Sequence, residues 1–311
     1  MLPSTPDLKD HPDRWQPVVE RIARTAGLHV TGFTPYAAGS ALVAAVSEDA
    51  VVKLVQPGYA DEVEAELRAL GWLEGADLPV PIPELLATGE EDGWTWLILS
   101  RLPGVSLDTV WDGLTPTERH RLASRIGALM GSVAAVQLPR PEQHAATWSA
   151  FLEAQRDGVV ARHARLGMPD WFLAGLEDAV AHGLDALDPS ARPIVLTGEY
   201  TPFNLHVERT PSGLELCGML DFGDAFAGHP AYDLLGPSVF LFPGDAAGQQ
   251  ALFGARGWTG PTPSRQALHA LHLLHRFSDL RGQIALPGWE QRVSSHAQLR
   301  DLVWPGFPDE G

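Results

Sequence analysis

The spacing of apolar positions divides the chain into a β-rich first third and a helix-rich remainder. In the first thirty residues, Trp15–Leu28 carries Val18, Val19, Ile22 and Ala23 at helical spacing, which predicts a leader with one short helix. Two runs of β-forming residues follow, Ala41–Ser47 and Ala50–Val55, separated by Glu48-Asp49, and they predict a hairpin. The period then changes again. Val63, Leu67 and Leu70 form one stripe, and Glu62, Glu64, Glu66 and Arg68 fill the remainder, as expected of an amphipathic helix. A Pro-rich link, LPVPIPELL, leads to WTWLILS, a buried strand that stops at RLPG.

From Thr115 onward the pattern is helical. Thr117–Val136 has a long apolar stripe opening on Thr115-Pro116, an N-cap followed by proline at the first helical position. Trp148–Arg165 and Trp171–Leu187 predict two further helices, and SRQALHALHLLHRFSDLRGQ another. A β interruption lies between them. PIVLTG predicts a strand, while NLHVE and LELCGMLDFG predict a hairpin closed by Thr210-Pro211-Ser212-Gly213.

Length and composition narrow the classes. At 311 residues the chain exceeds what a single core usually sustains, about 250–300 residues, so two lobes are expected. We place a β-rich N-lobe at residues 1–102 and a mainly helical C-lobe at 103–311, an α+β, bilobal fold. Thirty-nine acidic against 22 basic residues give a net charge of −17, which disfavours nucleic acid and anionic membrane as partners and suits a cationic small molecule. The single cysteine, Cys217, excludes an internal disulfide and fits a reducing compartment. The polar, Pro-rich start and the lack of any run of about 18 apolar residues predict a cytoplasmic protein with no secretory signal or membrane span.

The candidate chemistry lies in Gly198-Glu199-Tyr200-Thr201-Pro202-Phe203-Asn204, with Asp221-Phe222-Gly223 after the hairpin. Phosphoryl transfer needs a divalent metal over the phosphates and a carboxylate beside the attacking hydroxyl. Glu199 and Asn204 sit five positions apart on a loop after a strand, which supplies a base and a metal ligand from one segment. Asp221 supplies the second metal contact, and Mg²⁺ accepts such sparse oxygen ligation because phosphates and water complete its shell. Lys53 stands within the apolar run Ala50–Val55, so its ammonium must either point outward from an edge strand or meet an anion. Glu62 and Glu66, one helical turn apart, are its candidate partners. The turn at Tyr36–Ala41 stands where a phosphate-covering loop would be, but it has one glycine, Gly39. The histidines do not form a metal site, and His272 and His275 are expected in the core or a groove.

With these residues the chain resembles the aminoglycoside phosphotransferase family, which shares the protein-kinase-like fold with choline and homoserine kinases. The resemblance runs in order from about Gly32 to Leu235. It implies that Lys53 holds the phosphates of ATP or GTP with Glu66 as its partner, the segment Trp72–Pro81 favouring Glu66 over Glu62. It implies that the turn at Gly39 and Ser40 covers the nucleotide and that the backbone around Ser100–Leu102 meets the base. Thr197-Gly198-Glu199 matches the family's His-Gly-Asp, Asn204 and Asp221 match its Mg²⁺ ligands, and Asp233 matches a structural aspartate. Asp224 and Asp279 are the candidate acceptor contacts, with Asp157, Glu177 and Asp178 as solvated alternatives. Two positions depart from the family: Thr197 replaces His, and Glu199 replaces the catalytic Asp. The implied activity is phosphoryl transfer to a hydroxyl of a small acceptor, an aminoglycoside or related amino sugar. The alternatives are a metabolic kinase for choline, homoserine or a sugar, and a catalytically silent nucleotide-binding protein.

Overall fold

The computed structural model describes residues 5–37, 39–198 and 200–309. Glu199, the expected base, and Ala38, in the expected phosphate-covering turn, therefore lie outside the described residues. Five antiparallel strands, β1 (Thr34–Tyr36), β2 (Leu42–Ala45), β3 (Ala50–Val55), β4 (Leu85–Glu91) and β5 (Trp94–Ser100), form a sheet in the order β1-β2-β3-β5-β4. The hairpin at Glu48-Asp49 and the Trp94–Ser100 strand are where the apolar pattern put them. The two edge strands are not. β1 is exposed at all three positions, and β4 exposes Leu85 and Leu86, so neither has the buried alternation that identifies a strand. Because β3 pairs with both β2 and β5, Lys53 stands at the centre of the sheet and the edge-strand reading of this lysine falls.

The period-2 alternation of β2 and β3 separates the two faces of this sheet. Leu42, Ala44, Val46, Ala50, Val52 and Leu54 turn to one face. There they pack against Leu8, Trp15, Val19, Ile22 and Ala23 of the leader, which forms two helices rather than one, α1 (Thr5–Lys9) and α2 (Pro12–Thr25). Pro12 at the first position of α2 starts the second helix. The opposite face, with Val51, Lys53 and Val55, meets α3 (Ala60–Leu73).

The remainder is helical around two small sheets. Thr115 caps the helix Pro116–Ala134 through a reciprocal box: its side chain accepts from Glu118 N at 3.3 Å, and the Glu118 carboxylate accepts from Thr115 N at 2.9 Å. The two helices expected at 148–165 and 171–187 are each divided, into Pro141–Asp157 and Val159–Arg165 and into Asp170–Ala174 and Leu176–Asp185. A glycine, Gly158 or Gly175, stands at each division. The long helix expected from Ser264 ends at Leu273, and Asp279 caps a new one at Leu280–Gln283. Aspartate favours such a cap over a helix interior. Strands β6 (Val105–Ser106), β8 (Leu205–Thr210) and β9 (Gly213–Met219) form one sheet, and β7 (Ile194–Leu196) pairs with β10 (Phe226–Gly228) in another. Gly104 enters this region at φ +79°, where a Cβ would lie 2.4 Å from Cys217 Sγ and 2.5 Å from Val207 O. Burial pushes the Cys217 thiol up to about 11, so it is an unreactive packing group. Among the described residues no helix is long and apolar enough to cross a membrane.

The helical core holds several neutral histidines. His296 Nε2–H donates to Phe172 O at 2.8 Å, which leaves its Nδ1 to accept from His269 Nε2–H at 2.8 Å. His272 Nε2 meets Gln283 Oε1 at 3.0 Å, and His163 Nε2 meets Leu273 O at 3.2 Å. Burial is the main cause that lowers them all, His163 and His272 to about 4. No group of three or more His, Cys, Asp or Glu able to hold a metal occurs among the described residues. Unfolding exposes each histidine to bind a proton near its ordinary pKa of about 6.5, so their contribution is complete above that pH and is lost as pH falls toward 4. The raised carboxyl of Asp233 acts with the opposite sign. Unfolding free energy from urea titrations should therefore show a histidine-dependent slope between pH 6.5 and 4. His272→Gln should flatten it by at most about 1.4 kcal/mol per pH unit, and an unchanged slope would contradict the neutral assignment.

Candidate active site

Lys53 leaves the centre of the sheet toward α3, and its ammonium lies 2.8 Å from Glu66 Oε2 and 3.1 Å from Asp221 Oδ1. Glu66 is 2% exposed, an acid inside the apolar face that Val63, Ala69, Leu70 and Leu73 present to the core. Burial pushes its carboxyl up, and Lys53 pulls it back. Burial alone would depress the Lys53 ammonium, but Glu66 and Asp221 overcome it and hold its pKa above the ordinary lysine value. Of the two candidate partners, the structure joins Glu66 to Lys53. Glu62 lies toward Asp224 and Asp221, and its carboxyl is raised by burial and then by Asp224.

Asp221 has a left-handed backbone, φ +65°, unusual for a residue with a side chain. Its Oδ1 also accepts from Gly223 N at 3.3 Å. The hairpin brings Asn204 to the same place. Leu205 pairs with Met219, and Leu220 N donates to Asn204 O at 2.9 Å, so Asn204 is tied by its backbone to the residue before Asp221. The three positions 53, 204 and 221 therefore converge.

The loop carrying Gly198 is fixed from below. Asp233 is buried, and its two carboxylate oxygens accept from Thr197 N at 3.2 Å and Gly198 N at 3.0 Å. Burial raises its pKa to about 6, opposed by those two amides. Gly198 takes φ +68°, which its lack of a side chain permits. Thr197, at the family's histidine position, is fully buried.

The other candidates are spread along the chain. Gly39 and Ser40 lie exposed in the β1–β2 turn, with Gly39 at φ +87°. The Ser100 amide donates to Glu84 O at 2.9 Å and its hydroxyl accepts from Glu84 N at 2.8 Å, while the Arg101 amide donates to Asp49 O at 2.8 Å. The Leu102 side chain packs where a Cβ on Gly218 would come within 3.0 Å of it. Asp224 accepts from Arg276 at 2.9 Å. Asp279 caps a helix through Gly282 N at 3.4 Å. Asp157, Glu177 and Asp178 are exposed. Arg276 was not singled out from the sequence: it lies in a stretch read as helix, and only the break at Leu273 turns it toward Asp224.

A model of the phosphotransferase enzyme family matches residues 34–291. The fold is similar to that of the GDP complex of wild-type aminoglycoside 2'-phosphotransferase-IIIa, with TM-score 0.66, 16% identity, and 86% of this chain and 89% of that one covered. It is similar also to ADP-bound aminoglycoside phosphotransferase APH(2'')-Ib, with TM-score 0.60, 14% identity, and 93% and 99% covered. A third, APH(3'')-Id from Streptomyces rimosus, gives TM-score 0.60, 19% identity, and 84% and 98% covered. At these identities the likeness establishes the fold, the bilobal protein-kinase-like one expected from the sequence.

Removing one partner of a buried ion pair leaves the other charge without compensation. Lys53→Met should destabilise the protein by about 3–5 kcal/mol, read from urea denaturation monitored by tryptophan fluorescence. Adding Glu66→Met should recover most of that loss, and a double variant no more stable than the single one would show that the pair is not the cause.

Proposed function

The chain belongs to the phosphotransferase enzyme family, and from that premise we propose that it transfers the terminal phosphoryl group of ATP or GTP to a hydroxyl of a small acceptor. The observation that carries this reading is the contact of Lys53 with both Glu66 and Asp221, beside the backbone tie of Asn204 to Leu220. Lys53 holds the phosphates, and Glu66 keeps its ammonium extended. At the hinge the Ser100 and Arg101 amides are already committed, so the Leu102 amide is the donor we assign to the base.

The donor set fits a divalent cation. Among the described residues Glu62, Glu66, Asp221 and Asp224 gather about Lys53 and Arg276, and Asp221 and Asn204 are hard oxygen donors of the kind Mg²⁺ takes. When bound, Mg²⁺ would supply positive charge against the phosphates and the charge that develops in transfer. Asp221 and Asn204 would hold it. Glu199 orients the acceptor hydroxyl and takes its proton as the oxygen attacks the γ-phosphorus and the bond to the nucleoside diphosphate breaks. Glutamate reaches about 1.5 Å further than aspartate, and a misplacement of about 1 Å can cost on the order of 10²-fold in rate. The Asp233 brace on Thr197 and Gly198 fixes the backbone that leads to this position.

For the acceptor we propose an aminoglycoside or related amino sugar, on the family resemblance and the acidic surface. One observation favours the metabolic hydroxyl kinase instead: Asp224 and Asp279, the candidate contacts for amino groups, are already engaged with Arg276 and Gly282.

Two variants test the roles. Asp221→Ala should abolish Mg²⁺-dependent binding of ATP in calorimetry. Glu199→Gln should bind Mg-ATP as wild type does and lose about 10²–10⁴-fold in turnover across a panel of amino-sugar, choline, homoserine and sugar acceptors. Retained metal-dependent binding in Asp221→Ala would remove the metal assignment. Wild type and Glu199→Gln equally inactive on every acceptor would favour a silent nucleotide-binding protein.

A further inference from the structure

The phosphate-covering turn of this chain is poor in glycine, yet two of its carbonyl oxygens have a common partner. Lys9, the last residue of α1, donates from Nζ to Ala37 O at 3.1 Å and also to Gly39 O. The leader that supplies this ammonium precedes the stretch matched by the family model, which begins at residue 34. It is firmly seated. Leu8 and Trp15 are buried in the sheet, Trp15 Nε1 donates to Leu8 O at 3.1 Å, and Thr5 donates to the Gln56 side chain through N at 3.2 Å and Oγ1 at 3.0 Å. A helix of five residues is thus held on both sides of Lys9.

The faces of the sheet give this contact its consequence. The leader covers the face of Leu42, Val52 and Leu54, while Lys53 projects from the other. In a trans peptide unit the carbonyl and the amide hydrogen point in opposite directions, and no cis peptide bond occurs among the described residues. Drawing the Gly39 carbonyl to Lys9 therefore turns the Ser40 amide away from that ammonium. A loop rich in glycine reaches such an arrangement through its own freedom, whereas here an external cation imposes it.

We propose that Lys9 is a positioning residue for the nucleotide: it orients the β1–β2 turn so that the Ser40 amide is presented to the phosphates held by Lys53. This rests on the nucleotide-binding reading above and adds to it a residue from outside the matched family region. It acts through the turn, so its effect is confined to ligands that carry phosphates.

The test compares wild type, Lys9→Met and Lys9→Arg by calorimetry with Mg-ATP and with adenosine, on protein whose thermal midpoint without ligand has been recorded. Lys9→Met should weaken Mg-ATP about tenfold, the loss expected for one well-made hydrogen bond to a charged group, and leave adenosine unaffected. Lys9→Arg, which keeps the charge and the donors, should stay close to wild type. Equal Mg-ATP affinity in wild type and Lys9→Met would overturn this inference and leave the nucleotide reading standing. Equal loss for Mg-ATP and adenosine would overturn it too, since that is the mark of a general disturbance. A wild type that binds neither ligand would bring down the nucleotide reading itself, and this inference with it.

Discussion

One charged group organises this molecule: an ammonium in the middle strand of a sheet, with carboxylates on either side. A lysine so placed keeps little access to water, and Glu66 is almost fully buried. Each is tolerable only because the other is there. Lys53 also reaches Asp221, 168 positions later in the chain, so the requirement that buried charge be compensated holds the sheet, α3 and the segment after the hairpin in one arrangement. Hydrophobic burial alone would leave their relative setting less specified, because apolar surfaces can slide while a charge-assisted hydrogen bond of 2.8 Å cannot.

The second half of the site is built by backbone rather than by side-chain charge. The β8–β9 hairpin sets Leu205 against Met219, and the bond from Leu220 to Asn204 extends that register one step beyond the strands. Asp233 secures the other end of the same loop through two amides. Thr197 stands at the base of the loop, fully buried, where the resembled family has a histidine. With Asp233 gripping the amide of this residue, the loop's base is held by main chain, and the Thr197 side chain adds a hydrogen bond with Tyr200.

Elements that bury an apolar face were legible in the sequence, and elements defined by their neighbours were not. The β2–β3 hairpin, β5, α3, the capped helix at Thr115 and the β8–β9 hairpin all carry their period openly. Strands β1 and β4 do not, since they form only because β2 and β5 offer unpaired edges. The divided helices show a related limit: periodicity runs through Gly158 and Gly175, and the chain breaks there because glycine interrupts the ladder at little cost. Among site residues, Lys53, Glu66 and Asp221 announced themselves as charges in apolar or turn settings. Arg276 and the contacts of Lys9 gave no such sign, because an exposed basic residue looks the same whether it meets water or a carbonyl.

The balance of charge bears on the order of events in the cleft. Among the described residues four carboxylates gather around two cations there, on a protein whose net charge is already −17. A triphosphate brings about four more negative charges, and bare ATP would meet repulsion that Lys53 alone, held between Glu66 and Asp221, does not offset. On the function proposed above, Asp221 would turn from Lys53 to a divalent cation while Glu66 stays on the lysine, and the phosphates would take the place that Asp221 leaves. On that reading metal and nucleotide would be mutually dependent at this site. Each would relieve the repulsion that opposes the other, so the two would enter together, with Glu66 holding Lys53 in place while its second partner changed from a carboxylate to a phosphate.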